Sequence, residues 1–434
     1  MFKKSLEFLE KQVSAARLSA LVTMLFYHFF FTGVTFLSVL LLSWKAGARS
    51  LGVYSLVNNW VALFLLVGTW GLNSYAIREL NRAQFGRADI HRFTTKCLGM
   101  VLKLGLLTAL IYGIVLWIYN APLCREHPFL VLLGGLSIVS GSVLNVSTGL
   151  LMGIHQPKIA QIGEKIVRPM FIFIFILLAM FQLNVELTDT TMMLFQFMGF
   201  VVAASYAIWR LFKELSLLNT AAEQADSTPL ALHLWSSGRL MFGTLFYSVY
   251  LRIDIILLGW YYPEAHENIA YYNIALRFSE LLLIPSSFLL SMFSAELCKL
   301  FFEGSKLSLR RLSNKIRVLQ FTMVLAMAVP ILLFHRPILE LFGKAFYLEG
   351  SLALGLLCLV PILNALLGVF GSVLYLTHGE YYQYLAQGIG LVVNVLGLYF
   401  LLPIMGIVGA AVSAVISTIV YLMTLYLVGR RHFN

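Results

Sequence analysis

Twelve stretches of 17 or more predominantly apolar residues follow one another along this chain, at about 19–43, 52–76, 98–119, 129–151, 167–183, 191–212, 238–261, 269–297, 317–335, 351–377, 382–402 and 406–428. About 20 such residues coiled into a helix cross the hydrocarbon of a bilayer. Lipid offers no partner to an unpaired backbone N–H or C=O, so segments of this kind are restricted to helices that satisfy their own backbone. The expected fold is therefore an all-α integral membrane protein of about twelve transmembrane helices. With 60% of 434 residues hydrophobic and 12% charged, little chain remains outside the bilayer, which excludes a large soluble catalytic domain.

The formal charge of +11 invites a nucleic-acid reading until its distribution is inspected. With the N-terminus inside, the inner segments and adjoining span edges hold 23 Lys and Arg, the outer loops hold 5, and Lys103, Arg252 and Arg277 fall within spans. Cationic loops stay on the cytoplasmic side during insertion, so the basic excess encodes topology, places both termini in the cytoplasm, and leaves no nucleic-acid partner. Residues 1–18 read as an amphipathic interfacial helix, because Phe2, Leu6, Leu9 and Val13 recur at helical spacing among Lys3, Lys4, Glu7, Glu10 and Lys11. Cys97, Cys124, Cys298 and Cys358 lie too far apart for a metal pair or a disulfide framework. No nucleophilic triad order, glycine-rich phosphate loop or metal cluster is visible, so the chain is read as a non-enzyme without a cofactor.

The polar stretch Lys213 to Ser236 divides the chain nearly in half, and the halves resemble each other. "RLSALVTMLFY" from Arg17 matches "RLMFGTLFY" from Arg239, "LGVYSL" with Tyr54 matches "IAYYNI" with Tyr272, "AIREL" with Glu79 matches "SAEL" with Glu296, and "LMGIHQP" with His155 faces "LYLTHGE" with His378. The offsets are 222, 218, 217 and 223 residues, the drift that small deletions produce. Internal repeats of this kind build transporters with the substrate between them. The organisation that follows is an interfacial helix at 1–18, a six-helix lobe at 19–212, a cytoplasmic linker at 213–236 and a second, pseudo-symmetric six-helix lobe at 237–434.

Ionisable residues inside spans are costly and face a bundle interior or a watery cavity. Span 7 carries Arg252 and Asp254; span 8 carries Arg277 and Glu280. Both arginines fall roughly 12 Å from the outer interface at 1.5 Å per residue, and Arg277 and Glu280, three apart, share a helix face. Two readings stand: the guanidiniums engage an anionic substrate while the carboxylates hold them or bind a coupling ion, or the four close into a neutral ion-pair cluster. Asn58, Asn59, Asn73, Asn145, Asn364 and Asn394 either line a hydrophilic cavity or bond between helices. His28 reads as a buried, hydrogen-bonded histidine, and Gly406, Gly409, Ala410, Ala411 and Ala414 as a close-packing face.

The "RSLGVYS" after span 1, the "AYYNIALRFSELLLIPSSFL" of span 8 and the closing "GIVGAAVSAVISTIVY" resemble the polysaccharide-transport branch of the multidrug/oligosaccharidyl-lipid/polysaccharide exporter superfamily, whose members include Wzx-type O-antigen flippases. That resemblance spans essentially the whole chain and rests on pattern, not on a catalytic signature. It implies translocation of an undecaprenyl-diphosphate-linked oligosaccharide from the inner to the outer leaflet of a bacterial cytoplasmic membrane, by a functional monomer working beside polymerase and chain-length proteins. Related flippases line their cavity with cations from the first, second and eighth helices. Carried over by position, this adds Arg17 at the start of span 1, Arg49 between spans 1 and 2, and Arg78 at the inner end of span 2 to Arg252 and Arg277 as substrate-binding candidates. Asp254 and Glu280 become the candidates for proton or sodium coupling. A sister drug exporter predicts an acidic lobe for organic cations. A membrane-embedded polymerase predicts a sizeable external loop, whereas the longest here runs only from about Arg336 to Gly350.

Overall fold

The computed structural model describes residues 15–82, 87–181, 186–217, 230–303, 305–369, 371 and 380–433, and these form helices joined by short turns, with no strand among them. In chain order the helices are α1 (Ala15–Thr69), α2 (Leu72–Arg82), α3 (Arg87–Tyr119), α4 (Ala121–Glu126), α5 (Pro128–Gly153), α6 (Pro157–Ile162), α7 (Arg168–Phe181), α8 (Asp189–Leu217), α9 (Leu230–Tyr261), α10 (His266–Leu281), α11 (Ile284–Phe302), α12 (Lys306–Leu333), α13 (His335–Glu340), α14 (Lys344–Leu367) and α15 (Glu380–Phe433). A π turn, Gly163–Val167, joins α6 to α7. The expected interfacial helix at 1–18 falls almost wholly outside the described residues.

Eight helical stretches are individually long and apolar enough to cross a bilayer. Two of them are double. Helix α1 turns at Gly47 (φ 76°) and α15 at Gly406 (φ 60°), conformations that a side chain strongly disfavours, so each supplies two crossings. Helix α9 and the run from α6 through the π turn to α7 supply the rest, giving the twelve expected segments among the described residues. Boundaries shift where local chemistry decides. The fifth segment begins at Pro157, ten residues before the expected start, because proline suits a first helical turn. The outer connection near Arg336 contains α13 and the start of α14 instead of open loop. Helices α8 and α9 both reach into the expected 213–236 linker, whose residues 218–229 lie outside the described set.

Helices α1–α8 make the N lobe and α9–α15 the C lobe. At the end opposite the chain termini the two lobes share one apolar core: Leu42, Leu51, Leu56 and Leu116 of the first pack with Ile255, Ile269, Phe278 and Phe342 of the second. Polar contacts reinforce that seam. The Trp44 indole donates to the Leu341 carbonyl, the Tyr119 hydroxyl donates to that of Ile256, and Ser43 donates to that of Phe342 at 3.4 Å. Gly52 lies so close to α10 that a Cβ there would stand 1.8 Å from the His266 carbonyl oxygen. Toward the terminal end the cores separate, one around Tyr75, Phe93 and Leu150 in the N lobe and others around Leu297 and Ile316, and around Leu422, in the C lobe. The apolar cores are thus shared at one end and separate toward the other, where the lobes still touch: a Cβ on Gly71 would stand 2.4 Å from the Ser237 carbonyl oxygen.

Candidate functional site

A cavity of about 460 Å³ opens where the common core divides. Helix α1 supplies Phe31, Tyr54, Asn58 and Asn59, α8 supplies Gln196 and Phe200, and the π turn and α7 supply Glu164 and Arg168; from the C lobe come Arg252 of α9 and Asn273, Arg277 and Glu280 of α10. The site therefore uses both lobes.

Its wall is built from interlocked amides. Tyr54 donates to Gln196 Oε1, and Gln196 Nε2 donates to Asn58 Oδ1 at 2.6 Å. Asn59 donates to the Ser55 carbonyl at 2.8 Å, which aims its own Oδ1 at the C lobe, where Arg252 Nη1 donates to it at 2.7 Å. Arg277 Nε donates to Asn273 Oδ1 one helical turn back, at 2.9 Å. A guanidinium carries five N–H donors, so one amide contact fixes each arginine's direction and leaves most of its donors for something else.

The third arginine is held differently. Arg168 begins α7 immediately after the π turn, a helix irregularity that recurs at functional sites, and its guanidinium lies over the rings of Phe31 at 5.3 Å and Phe200 at 4.8 Å. Its neighbour Lys165 donates to Glu164 Oε1 at 2.9 Å. Among the described residues the ion pairs bring no carboxylate within 4.0 Å of Arg168, Arg252 or Arg277. With Lys165 offsetting Glu164, the cavity is cationic.

The structure does not close Arg252, Asp254, Arg277 and Glu280 into one ion-pair cluster. Arg252, Arg277 and Glu280 line the cavity. Asp254 is buried behind the wall, where it accepts from the Tyr272 hydroxyl at 2.7 Å and from Asn394 Nδ2 at 2.6 Å. Arg49 is exposed at the far end, and Arg78 is exposed at the opposite end, over the Tyr75 ring at 5.9 Å; neither lines the cavity. Arg17 lies in the first turn of α1, its side chain outside the described set. Sequence reasoning singled out neither Glu164 nor Arg168. Both stood beside the expected edge of span 5, where a cation is absorbed by the topology rule; the available signal was Pro157, which starts the helical run ten residues earlier and so puts Arg168 well inside it instead of at its edge. Gln196 had no distinguishing signal.

The polysaccharide biosynthesis protein family matches residues 19–297. Among solved structures, the chain is similar to an inward-facing multidrug-resistance MATE transporter of the MOP superfamily, with TM-score 0.70 and 14% identity over 93% of this chain and 94% of that one. It is also similar to a MOP-superfamily transporter from Pyrococcus furiosus described as having a binding pocket of reversed polarity, with TM-score 0.69, 15% identity and 95% of both chains covered. The lipid II flippase MurJ in an inward closed conformation matches at TM-score 0.66 and 15% identity, over 92% of this chain and 87% of that one. At these identities the likeness is one of fold. No curated protein sequence matches.

Proposed function

The chain belongs to the polysaccharide biosynthesis protein family, and on that premise we propose that it is a flippase for undecaprenyl-diphosphate-linked oligosaccharide repeat units. It carries the units of O-antigen or a related surface polysaccharide from the inner to the outer leaflet of the bacterial cytoplasmic membrane by alternating access. Such a molecule has a tail that can remain in lipid and an anionic, hydroxyl-rich head that cannot. The observation that carries the reading is the cavity between the lobes, where Arg168, Arg252 and Arg277 outnumber Glu164 and Glu280, with no carboxylate within 4.0 Å of any of the three, beside the amides of Asn58, Asn59, Asn273 and Gln196. Guanidiniums recognise phosphoryl oxygens by paired donors, and amides suit sugar hydroxyls. An exporter of organic cations calls for the opposite polarity.

The charge asymmetry of the loops supports a cytoplasmic position for both termini, and in that orientation the end where the lobes keep separate apolar cores faces the side where lipid-linked repeat units are made. A negative interior favours outward passage of an anion by about 2.3 kcal/mol per charge per 100 mV; Asp254 and Glu280 are the carboxylates we assign to any coupled proton or sodium ion. Deleting the gene is expected to confine completed repeat units to the inner leaflet and abolish the surface polymer. A deletion strain that exports repeat units but leaves them unpolymerised outside would overturn the reading in favour of a polymerase. A cysteine at Asp89 should react only from the cytoplasmic side and one at Asn268 only from outside.

A further inference from the structure

Helix α8 runs for 29 residues, about 43 Å at 1.5 Å per residue, and so outreaches the roughly 30 Å of hydrocarbon. Trp209 lies about 30 Å along it from Asp189, which puts Trp209 and the turn beyond it at the membrane boundary on the terminal side. Ser205, Trp209, Phe212, Lys213 and Ser216 recur at helical spacing and are all exposed, so one outward stripe carries two aromatic rings and a cation. Arg210 Cζ stands 5.7 Å and Lys213 Nζ 5.4 Å from the centre of the Trp209 ring. Phe212 meets His91 of α3 with 5.6 Å between ring centres. The next residue on each helix, Lys213 and Arg92, is an exposed cation. Arg210 is paired with Glu214 at 2.9 Å, but among the described residues no carboxylate stands within 4.0 Å of Arg92 or Lys213.

As the third and sixth crossings, α3 and α8 run in opposite directions. Two turns into the membrane from the His91–Phe212 contact, Gly99 of α3 therefore comes level with Ser205 of α8. Both are exposed, and a Cβ on Gly99 would meet nothing within 4 Å, so these small residues leave a shallow recess on the lipid side. The topology rule accounts for cations at this end. It does not account for their setting beside aromatic rings at the mouth of a recess.

We propose that the crevice between α3 and α8 binds one anionic diacyl phospholipid. Arg92 and Lys213 take its phosphate, the Trp209 indole N–H its glycerol ester, and an acyl chain lies past Gly99 and Ser205. Charge chooses the occupant, since a zwitterionic headgroup brings an ammonium group that the two cations repel. None of these residues lines the cavity, so the site is independent of what the cavity carries.

Native mass spectrometry of the full-length protein, titrated in detergent with phosphatidylglycerol and with phosphatidylcholine of the same acyl chains, reads the bound lipid directly. The native protein should hold phosphatidylglycerol more tightly by about tenfold or more, at about fivefold for each cation. Arg92→Gln with Lys213→Gln should remove most of that preference and leave phosphatidylcholine within about twofold of native. Trp209→Ala should weaken both lipids, and Gly99→Leu should do the same by filling the recess. Arg310→Gln with Arg311→Gln removes two exposed cations from the C-lobe helix α12 and should leave the preference intact. An equal loss from that C-lobe pair would mean a diffuse basic surface and overturns the site, as does a native protein that binds both lipids alike. If Arg92→Gln with Lys213→Gln weakens undecaprenyl monophosphate by the same factor as phosphatidylglycerol, the crevice belongs to a carrier lipid and the proposal fails.

Discussion

Tyr54 and Tyr272 occupy matching places in the two halves, and comparing them shows how far the lobes have diverged. Both are buried, and each donates its hydroxyl to a partner in its own lobe, Tyr54 to the amide of Gln196 and Tyr272 to the carboxylate of Asp254. The acceptor is neutral in one lobe and ionisable in the other. In the N lobe the charged groups Glu164 and Arg168 stand on the same cavity wall as the tyrosine's amide network. In the C lobe a carboxylate sits behind the wall, reached by Tyr272 and by Asn394, which Ser413 anchors in turn at 2.8 Å. Both lobes thus present charge to the cavity, and the C lobe in addition shelters a carboxylate behind its wall. The sheltered carboxylate ties together α9, α10 and α15, so it organises the lobe whether or not an ion visits it.

The largest effect expected from this difference comes from deleting the two acceptors. Asp254→Ala strands the Tyr272 hydroxyl and the Asn394 amide, at roughly 1–3 kcal/mol for each buried donor left unsatisfied. Gln196→Ala leaves Tyr54 unanswered but keeps Asn58 beside a cavity that admits water, and should cost about half as much. Thermal unfolding in one detergent measures both. Equal losses would mean that the two networks are energetically alike and the contrast is one of appearance.

Gly52→Ala probes the seam that holds the unlike lobes together. The new methyl would fall 1.8 Å from the His266 carbonyl oxygen, and backbone must move to admit it, at about 1–3 kcal/mol for overpacking of this kind. Neither lobe's own core contains the clash, so both should fold while the shared core loosens. A cysteine at Leu42, now buried there, should gain reactivity toward a membrane-permeant thiol reagent. An unreactive cysteine in a protein of native stability would show that the seam does not depend on this contact.

The succession of spans was legible because lipid enforces a simple code in which apolar length sets each one. Arg252, Arg277 and Glu280 were legible as ionisable residues deep within spans, a placement that needs a reason. Arg168 was not, since a cation at a span edge already has one, and only the helix start at Pro157 removes it. The Asp254 network was half legible. Its carboxylate stood out, but Asn394 reaches it from 140 residues away, and nothing local distinguishes that asparagine from Asn364, which bonds within its own helix to the Val360 carbonyl. The tyrosine match was visible as a repeat, yet the unlike acceptors were not, because they come from non-equivalent spans of each lobe.

A finer cut at the same comparison replaces only the donors. A hydrogen bond to a charged acceptor is worth about twice one to a neutral acceptor, roughly 1.5–3 against 0.5–1.5 kcal/mol. Tyr272→Phe should therefore destabilise more than Tyr54→Phe, read as a difference in melting temperature between two otherwise matched variants. The reverse order would indicate that Asp254 is neutral in the folded protein and accepts no more strongly than an amide.

The smallest stability effect belongs to a hydrogen bond that crosses the cavity. Arg252 Nη1 donates to Asn59 Oδ1 at 2.7 Å, joining the C-lobe wall to the N-lobe wall. Asn59→Ala removes an acceptor beside a hydrated space, so the guanidinium regains water and stability should change by about 0.5 kcal/mol or less. The conformational effect should exceed the energetic one. Whenever the lobes part this bond must break, whereas the Tyr54–Gln196 and Tyr272–Asp254 bonds, each internal to a lobe, need not. Asn59→Ala should therefore raise the population of separated lobes, detected as a longer mean distance between spin labels placed one on each lobe at the terminal end. Tyr54→Phe should leave that distance unchanged. If both variants move the labels equally, the intralobe network is part of the moving seam, and the division of the molecule into two rigid halves fails at Tyr54.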